Sequence, residues 1–314
     1  MKKIKVGISS CLLGQKVRHD GGHKRNVFVM DTLSEYFEYS AFCPEVAAGL
    51  SVPRPTLRLT RQESVVRMVG SKDTTLDVTD QMLETANKAV KYFGELSGYI
   101  LKKDSPSCGM ERVRIYSGNG QPERNGQGLF ASVLMEQYPN LPVEEEGRLM
   151  DPVLRENFIE RVFIYHRWQQ LVHDGLTVSG LINFHSQHKL NLLAHSEVIL
   201  RNLGKLVANT REDNIEQTAT TYISELMQAL RLPANRKRHT NVLMHVMGYL
   251  KKTLSSSEKQ ELSEILTNYR QGFIPLVVPI TLLNHHLRRT PVSYIENQYY
   301  MNPYPMQLML RNKL

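Results

Sequence analysis

Three short apolar runs in the first half of the chain each give way to a turn at a cysteine, and this pattern restricts the fold more than any other. Lys3-Ile4-Lys5-Val6-Gly7-Ile8 leads into Ser9-Ser10-Cys11-Leu12-Leu13-Gly14, and Tyr39-Ser40-Ala41-Phe42 leads into Cys43-Pro44-Glu45-Val46. Gly98-Tyr99-Ile100-Leu101 is followed by Ser105-Pro106-Ser107-Cys108-Gly109. Short apolar runs bounded by Pro and Gly read as strands leaving into loops. If the three strands are parallel, the thiols share the carboxyl edge of one sheet, where open α/β folds place their ligands. Three thiols that converge can hold a metal and leave one coordination position free.

Helical spacing appears between these runs. Val29, Leu33 and Phe37 set it over 27–39, and Met82, Leu83, Ala86, Val90 and Phe93 set it over 79–96, with Thr79 as a cap. A strand at 112–116 and a helix at 128–138 continue the alternation, which predicts an α/β domain built on a parallel sheet. Gly126-Gln127-Gly128 lacks the third glycine of a dinucleotide fingerprint and reads as a tight turn. Residues 139–147, with Glu144-Glu145-Glu146, read as a linker or exposed turn, and 149–171 as a helix bridging two halves.

The remainder predicts an all-α domain. Helices are expected over 214–230 and 236–252, and a third opens at a capping box, Ser257-Glu258-Lys259-Gln260, and closes at Gly272. Pro279 is expected to kink or divide 275–286. The expected boundaries are 1–150 for the α/β domain, 151–178 for the bridge and 179–314 for the helical domain.

Composition then excludes several classes. A chain of 314 residues with 41% hydrophobic and 22% charged residues is ordinary for a globular protein of two domains. No apolar run approaches the ~18 residues a membrane span needs, and the first residues lack the apolar core of a signal peptide. The expectation is a cytoplasmic protein with no membrane association. Three cysteines are an odd number, and reducing conditions keep them as thiols.

The net charge of +8 is uneven. From residue 176 onward there are 16 Lys and Arg against 9 Asp and Glu, a balance of +7, whereas residues 1–150 have 20 against 18. A basic module beside a near-neutral one suits a polyanion such as nucleic acid, and equally suits a solvated basic surface. The candidate RNA contacts are Arg236, Lys237, Arg238, Lys251, Lys252, Arg288 and Arg289, interleaved with Tyr249, Tyr269 and Tyr294 for base stacking.

No CxxC pair is present, so zinc-finger spacing is absent. A single buried cysteine is more often a small hydrophobe than a ligand, but each of these is flanked by Ser, Pro or Gly, whose backbone N–H groups can bond a thiolate. Soft thiolates favour zinc, copper(I) or iron–sulfur clusters. Zinc would take a fourth ligand from His19 or His23; a 4Fe-4S cluster can instead keep three cysteines and leave one iron open as a Lewis acid. Glu45 and Ser105 stand near enough in sequence to two of the thiols to move protons there.

Taken together, Ser9-Ser10-Cys11-Leu12-Leu13-Gly14, Arg18 with Asp20-Gly21-Gly22, Cys43-Pro44-Glu45 and Ser105-Pro106-Ser107-Cys108-Gly109 resemble the thiouracil desulfidase family over residues 1 to about 150. Ala47-Ala48-Gly49 departs from the glycine pair of that pattern, and His19 stands where it has an aromatic residue. From about 180 onward, His188-Lys189-Leu190, Arg236-Lys237-Arg238-His239-Thr240-Asn241, Pro275-Leu276 and Pro303-Tyr304-Pro305 resemble a helical family of formerly unknown function that occurs fused to the first. The fused arrangement looks like the desulfidases that act on 4-thiouridine in tRNA.

The resemblance implies that Cys11, Cys43 and Cys108 bind a 4Fe-4S cluster whose open iron takes the substrate's sulfur. It further implies that Glu45 moves protons with Ser105 assisting, in a hydrolytic reaction that needs no electron transfer and releases sulfide. Ser10, Arg18, His19, Asp20 and Ser107 are then candidates for substrate binding. tRNA is the expected partner, held by the helical domain, and no obligatory protein partner is implied. Two other readings stay open: an enzyme for free thiouracil or thionucleosides, and a non-catalytic iron–sulfur or zinc sensor that binds RNA.

Overall fold

A computed structural model describes residues 2–63, 65–117 and 121–313. The chain divides into two compact units, Met1–Asp151 and Pro152–Leu314. The first is α/β and the second helical.

Among the described residues the first unit holds two four-stranded sheets. In one, β1 (Ile4–Ser9) lies between β2 (Phe37–Phe42) and β5 (Tyr99–Leu101), with β8 (Val143–Glu145) beyond β5, and every pairing is parallel. Its central strands are covered on both faces, which is why they read as apolar runs rather than alternating ones. An aromatic cluster of Phe42, Phe93, Tyr99 and Phe130, with ring centroids 5.2 to 6.3 Å apart, packs beside them. The parallel arrangement expected from the cysteine-terminated runs is therefore present.

The other sheet has the order β4-β3-β6-β7, from β3 (Leu57–Gln62), β4 (Val65–Gly70), β6 (Val113–Tyr116) and β7 (Glu123–Gly126). Its inward positions Leu59, Met68, Val113 and Ile115 form one core with Met82 and Leu129. The opposite face carries Arg58, Thr60, Arg67 and Arg114, with buried Val69 among them. Three short helices complete the unit: α1 (Pro44–Ala47), α2 (Thr79–Val90) and α3 (Leu129–Gln137).

Several expectations are corrected here. Residues 139–147 are not a linker: Val143–Glu145 is the fourth parallel strand, and Glu144, Glu145 and Glu146 are buried. Each carboxylate has partners that permit burial. Glu144 pairs with Arg148, Glu145 accepts from the Met110 N–H, and Glu146 accepts from Lys102 Nζ and the Lys103 N–H. A run of three charges signals solvent only when no cations wait inside.

The segment 27–39 makes a π turn over Phe28–Thr32 and a 3-10 turn over Leu33–Glu35, and Phe37 already belongs to β2. Helix α2 ends at Val90, and Phe93 is buried beyond it. Thr79 does not cap α2: its hydroxyl accepts from the Met68 N–H and donates to Asp77. The strand at 113–116 is in the second sheet, outside the parallel one.

The second unit comprises α4 (Pro152–His173), α5 (Val178–His195), α6 (Glu197–Ala208), α7 (Ile215–Leu230), α8 (Arg236–Leu250), α9 (Ser256–Gln271), α10 (Val277–Arg289) and α11 (Ser293–Glu296). The helix read as a bridge opens this unit. One core gathers Trp168, Phe184, Tyr222 and Leu226; a second gathers Val242, Leu243, Leu262, Leu283 and Tyr300.

The box that caps α9 is Ser255 with Glu258, two residues earlier than the sequence suggested, and the helix closes at Gly272 with φ +91. Pro279 falls in the first turn of α10, where its nitrogen has no intrahelical partner to lose, so α10 runs through it. Among the described residues no helix is long and apolar enough to cross a membrane.

Candidate active site

Each strand that carries a thiol stops at the same edge of the parallel sheet. Cys11 lies in the 3-10 turn Ser10–Leu13 directly after β1, and Cys43 is the N-cap residue of α1 directly after β2. Cys108 comes from the loop after β5. Ser105 Oγ accepts from the Ser107 and Cys108 N–H groups at 3.3 and 3.1 Å, and the Gly109 N–H donates to the Ser105 carbonyl.

The start of α3 fastens this loop from outside. N–H groups of Gly128, Leu129 and Phe130 donate to the carbonyls of Gly109, Pro106 and Ser107. A helix start has spare donors, and here the loop consumes them. Any side chain at 128 would collide with the Ser107 carbonyl, 2.4 Å from where a Cβ would sit. The glycine of the incomplete fingerprint thus serves close packing.

All three thiols line one cavity of about 390 Å³, and Glu45 shares its wall. Burial pushes the Cys11 thiol up to about 11, with Lys102 and Arg18 acting against that rise. Burial likewise raises Cys43, and raises Cys108 well above the ordinary range despite its hydrogen bond with Ser9. Cys108 feels the charge of both Cys43 and Cys11, so the three sit within electrostatic reach of one another. Without a bound metal they are protonated at neutral pH.

Glu45, in the first turn of α1, is held through both of its carboxylate oxygens. Arg54 Nε and Nη2 both reach its Oε2, at 2.8 and 2.5 Å, and Ser107 Oγ donates to Oε1 at 2.5 Å. The Arg54 side chain is only 4% exposed and also donates to the carbonyls of Ser51 and Val17. The irregular segment around Pro53 and Pro55 therefore delivers the cation that positions the carboxylate. Sequence reasoning missed Arg54 because the ion pair closes between segments with no periodicity to mark it.

The structure sorts the other expected site residues. Ser10, Arg18, His19 and Ser105 line the cavity. Ser107 is fully buried behind it on Glu45, so Ser107 rather than Ser105 is the hydroxyl partner of the carboxylate. Asp20 lies outside the lining, accepting from the Gly22 N–H and pairing with Arg18 at 3.5 Å. Lys24, Lys102 and Lys103, which sequence reasoning did not single out, add cations to the wall. His23 is exposed, its Nδ1 taken by the Arg25 N–H.

In the second unit the basic residues form two groups. Arg236, Lys237 and Arg238 open α8, whereas Lys251 and Lys252 follow its end, roughly 20 Å away along a helix of this length. Arg288 and Arg289 close α10, and Arg289 binds Glu258 in the first turn of α9, near Lys251 and Lys252 in the chain. All but the half-buried Arg236 are exposed. Of the tyrosines expected to stack on bases, Tyr269 is buried in the core, and Tyr249 and Tyr294 pack on each other with centroids 5.3 Å apart.

Fold and site define an α/β protein with a three-thiol crevice and a clamped carboxylate at the carboxyl edge of its parallel sheet, followed by a helical domain. A family model described as 2-thiouracil desulfurase matches residues 6–146, and one described as a protein of unknown function, DUF1722, matches residues 189–305. The uncharacterized protein YbgA of Escherichia coli (strain K12) is 35% identical over 153 residues, which are 48% of this chain and 90% of that protein. The solved structure of the [4Fe-4S]-dependent thiouracil desulfidase TudS is 36% identical, covers 48% of this chain and 95% of its own, and superposes with a TM-score of 0.39. The chain belongs to the 2-thiouracil desulfurase family, with a DUF1722 domain following the desulfurase domain.

Proposed function

We propose that this protein removes sulfur from 4-thiouridine in tRNA, converting the thiocarbonyl to a carbonyl and releasing sulfide, with a 4Fe-4S cluster held by Cys11, Cys43 and Cys108. The observation that carries the reading is the meeting of three sequence-distant thiols in one cavity beside Glu45.

The donor set fits such a cluster. Sulfur ligands are soft, and Arg18 and Lys102 act on Cys11 against the build-up of negative charge. Among the described residues no three His, Cys, Asp or Glu side chains are gathered closely enough to hold a single metal ion. The three thiols line one cavity of about 390 Å³, room for a centre of several metal atoms. When bound through three protein sulfurs, the cluster supplies one iron without a protein ligand, a Lewis acid for a thiocarbonyl sulfur.

The reaction balances as thiocarbonyl plus water giving carbonyl plus hydrogen sulfide, and no oxidant or reductant is needed. In this reading Glu45 takes the proton of the attacking water and returns one to the departing sulfur. Arg54 and Ser107 fix both of its oxygens, so the carboxylate is oriented before substrate arrives. Arg18, Lys24, Lys102 and Lys103 give the crevice a positive wall for an anionic substrate. A uridine stacked inside folded RNA must be extruded to reach this depth. The basic second unit supports RNA as the carrier of that base.

Anaerobic reconstitution with iron and sulfide, followed by a sulfide-release assay on thiolated tRNA and on free 4-thiouracil, tests the proposal. Glu45→Gln should retain the iron–sulfur absorbance and lose 10²–10⁴-fold in turnover. Release from the free base alone would replace the tRNA assignment with the small-molecule one; no release from either would end the desulfidase reading.

A further inference from the structure

The face of the second sheet opposite its core carries a charge pattern that its fold does not need. Thr60 pairs with Arg67 and Arg58 with Val69 across β3 and β4, and Thr60 pairs with Tyr116 across β3 and β6. Arg114 pairs directly with Arg124 across β6 and β7. One position before the Leu59–Ile115 pair, Arg58 stands level with Arg114. Residues paired across strands share a face, so Arg58, Arg114 and Arg124 form a row on three neighbouring strands spanning roughly 10 Å.

Like charges directly opposite one another destabilise a sheet. Here no carboxylate relieves them: among the described residues Arg58, Arg114 and Arg124 form no ion pair, whereas Arg67 on the same face is bound by Asp77. Arg114 and Arg124 are exposed. Arg58 lies over the Tyr116 ring, 5.0 Å from its centroid, and its Nε is buried without a hydrogen-bond partner, as is Thr60 Oγ1. A cavity of about 360 Å³ opens on Arg58, Arg114, Ser71 and Tyr116. It shares Leu57, Asp104 and Pro106 with the wall of the thiol crevice. The single carboxylate there, Asp104, is exposed on the common rim.

We infer that this face is an RNA-docking surface, on which the strand flanking the target nucleotide lays its phosphodiesters along the Arg58–Arg114–Arg124 row. The inference rests on the proposed RNA substrate and deepens it by moving part of the RNA contact onto the desulfurase domain. Guanidinium groups bond phosphate oxygens in pairs, and a neighbouring tyrosine offers a ring for a base. Continuity with the crevice lets a strand held here present an extruded base to the thiols. The occupant is a polynucleotide rather than a single nucleotide, because the row continues past the cavity to Arg124, which does not line it.

The test uses the full chain as purified and an unmodified tRNA transcript, so that neither cluster loading nor sulfur removal enters the measurement. Binding is followed by fluorescence anisotropy across a salt series. The exposed double variant Arg114→Gln/Arg124→Gln disturbs no core contact; it should lower the slope of log Kd against log salt by about two and weaken binding at least tenfold. Arg58→Lys, which keeps the charge but loses the fork, should weaken binding less. Wild-type affinity and slope in the double variant would overturn the inference. So would uridine 5′-monophosphate competing with the transcript at equal affinity, since the site would then take a mononucleotide. Neither result bears on whether thiolated substrates lose sulfur.

Discussion

Arg54 decides whether the Glu45 carboxylate is held in one direction or left loose. Its guanidinium grips one oxygen with two nitrogens and ties the same group to the backbone of Val17 and Ser51. A lysine cannot reproduce that fork. Arg54→Met should therefore lower kcat about 10²-fold, and Arg54→Lys should recover only part of the loss, with the iron–sulfur absorbance kept in both. Cys108→Ser should abolish that absorbance in anaerobically purified protein, because the cluster would lose one of its three ligands. Full absorbance in this variant would remove Cys108 from the ligand set. At this scale the sequence announced the thiols and Glu45, each beside a turn residue after an apolar run. It could not announce Arg54 or distinguish Ser107 from Ser105, because hydroxyl direction depends on how the loop folds onto α3.

Among the elements, β8 and the loop after β5 stand or fall together. Glu146, directly after β8, accepts from Lys102 Nζ at 2.5 Å and from the Lys103 N–H at 2.7 Å, and both lysines lie on the crevice wall. Glu146 is 8% exposed, so Glu146→Ala leaves Lys102 short of its counter-ion in a poorly solvated place. Breaking such a pair costs about 3 kcal/mol. We expect a lower urea midpoint with an unchanged slope, together with a weakened cluster absorbance. Nothing local identified β8, since three consecutive glutamates are the composition of an exposed turn. The second sheet was missed for a related reason. Leu57 and Leu59 alternate with Arg58 and Thr60, a one-sided strand pattern that is legible only once the segment after Pro55 is examined with a period of two.

At the scale of the whole molecule, acid acts on the helical unit through its buried imidazoles. Burial holds His185 at about 4 and both His188 and His239 at about 3, all in the helical unit. Each is neutral in the fold and protonates near 6.5 when unfolded, so its stabilising effect is complete above pH 6.5 and is lost as pH falls. The three together remove roughly 4 kcal/mol per pH unit between about 6 and 4.5. Glu160 is buried, which alone would raise it, but hydrogen bonding and charge from His195, with help from Asn191, bring it to about 2, so its contribution disappears only below about 4.5. The helical signal at 222 nm should therefore collapse between pH 6 and 4.5 at moderate denaturant. A flat signal over that range would show that these imidazoles are not buried neutral.

By itself the sequence determined the class of both units, the parallel order of the thiol-bearing strands and the three cysteines that follow strands of the first unit. Those features follow from apolar periodicity and turn chemistry, which are local. Tertiary structure alone decided that the acidic run is an inner strand, that Arg54 and Ser107 clamp Glu45, and that three arginines share a row. Each of these depends on groups far apart in the chain meeting across a sheet or a loop, and no local pattern records such a meeting.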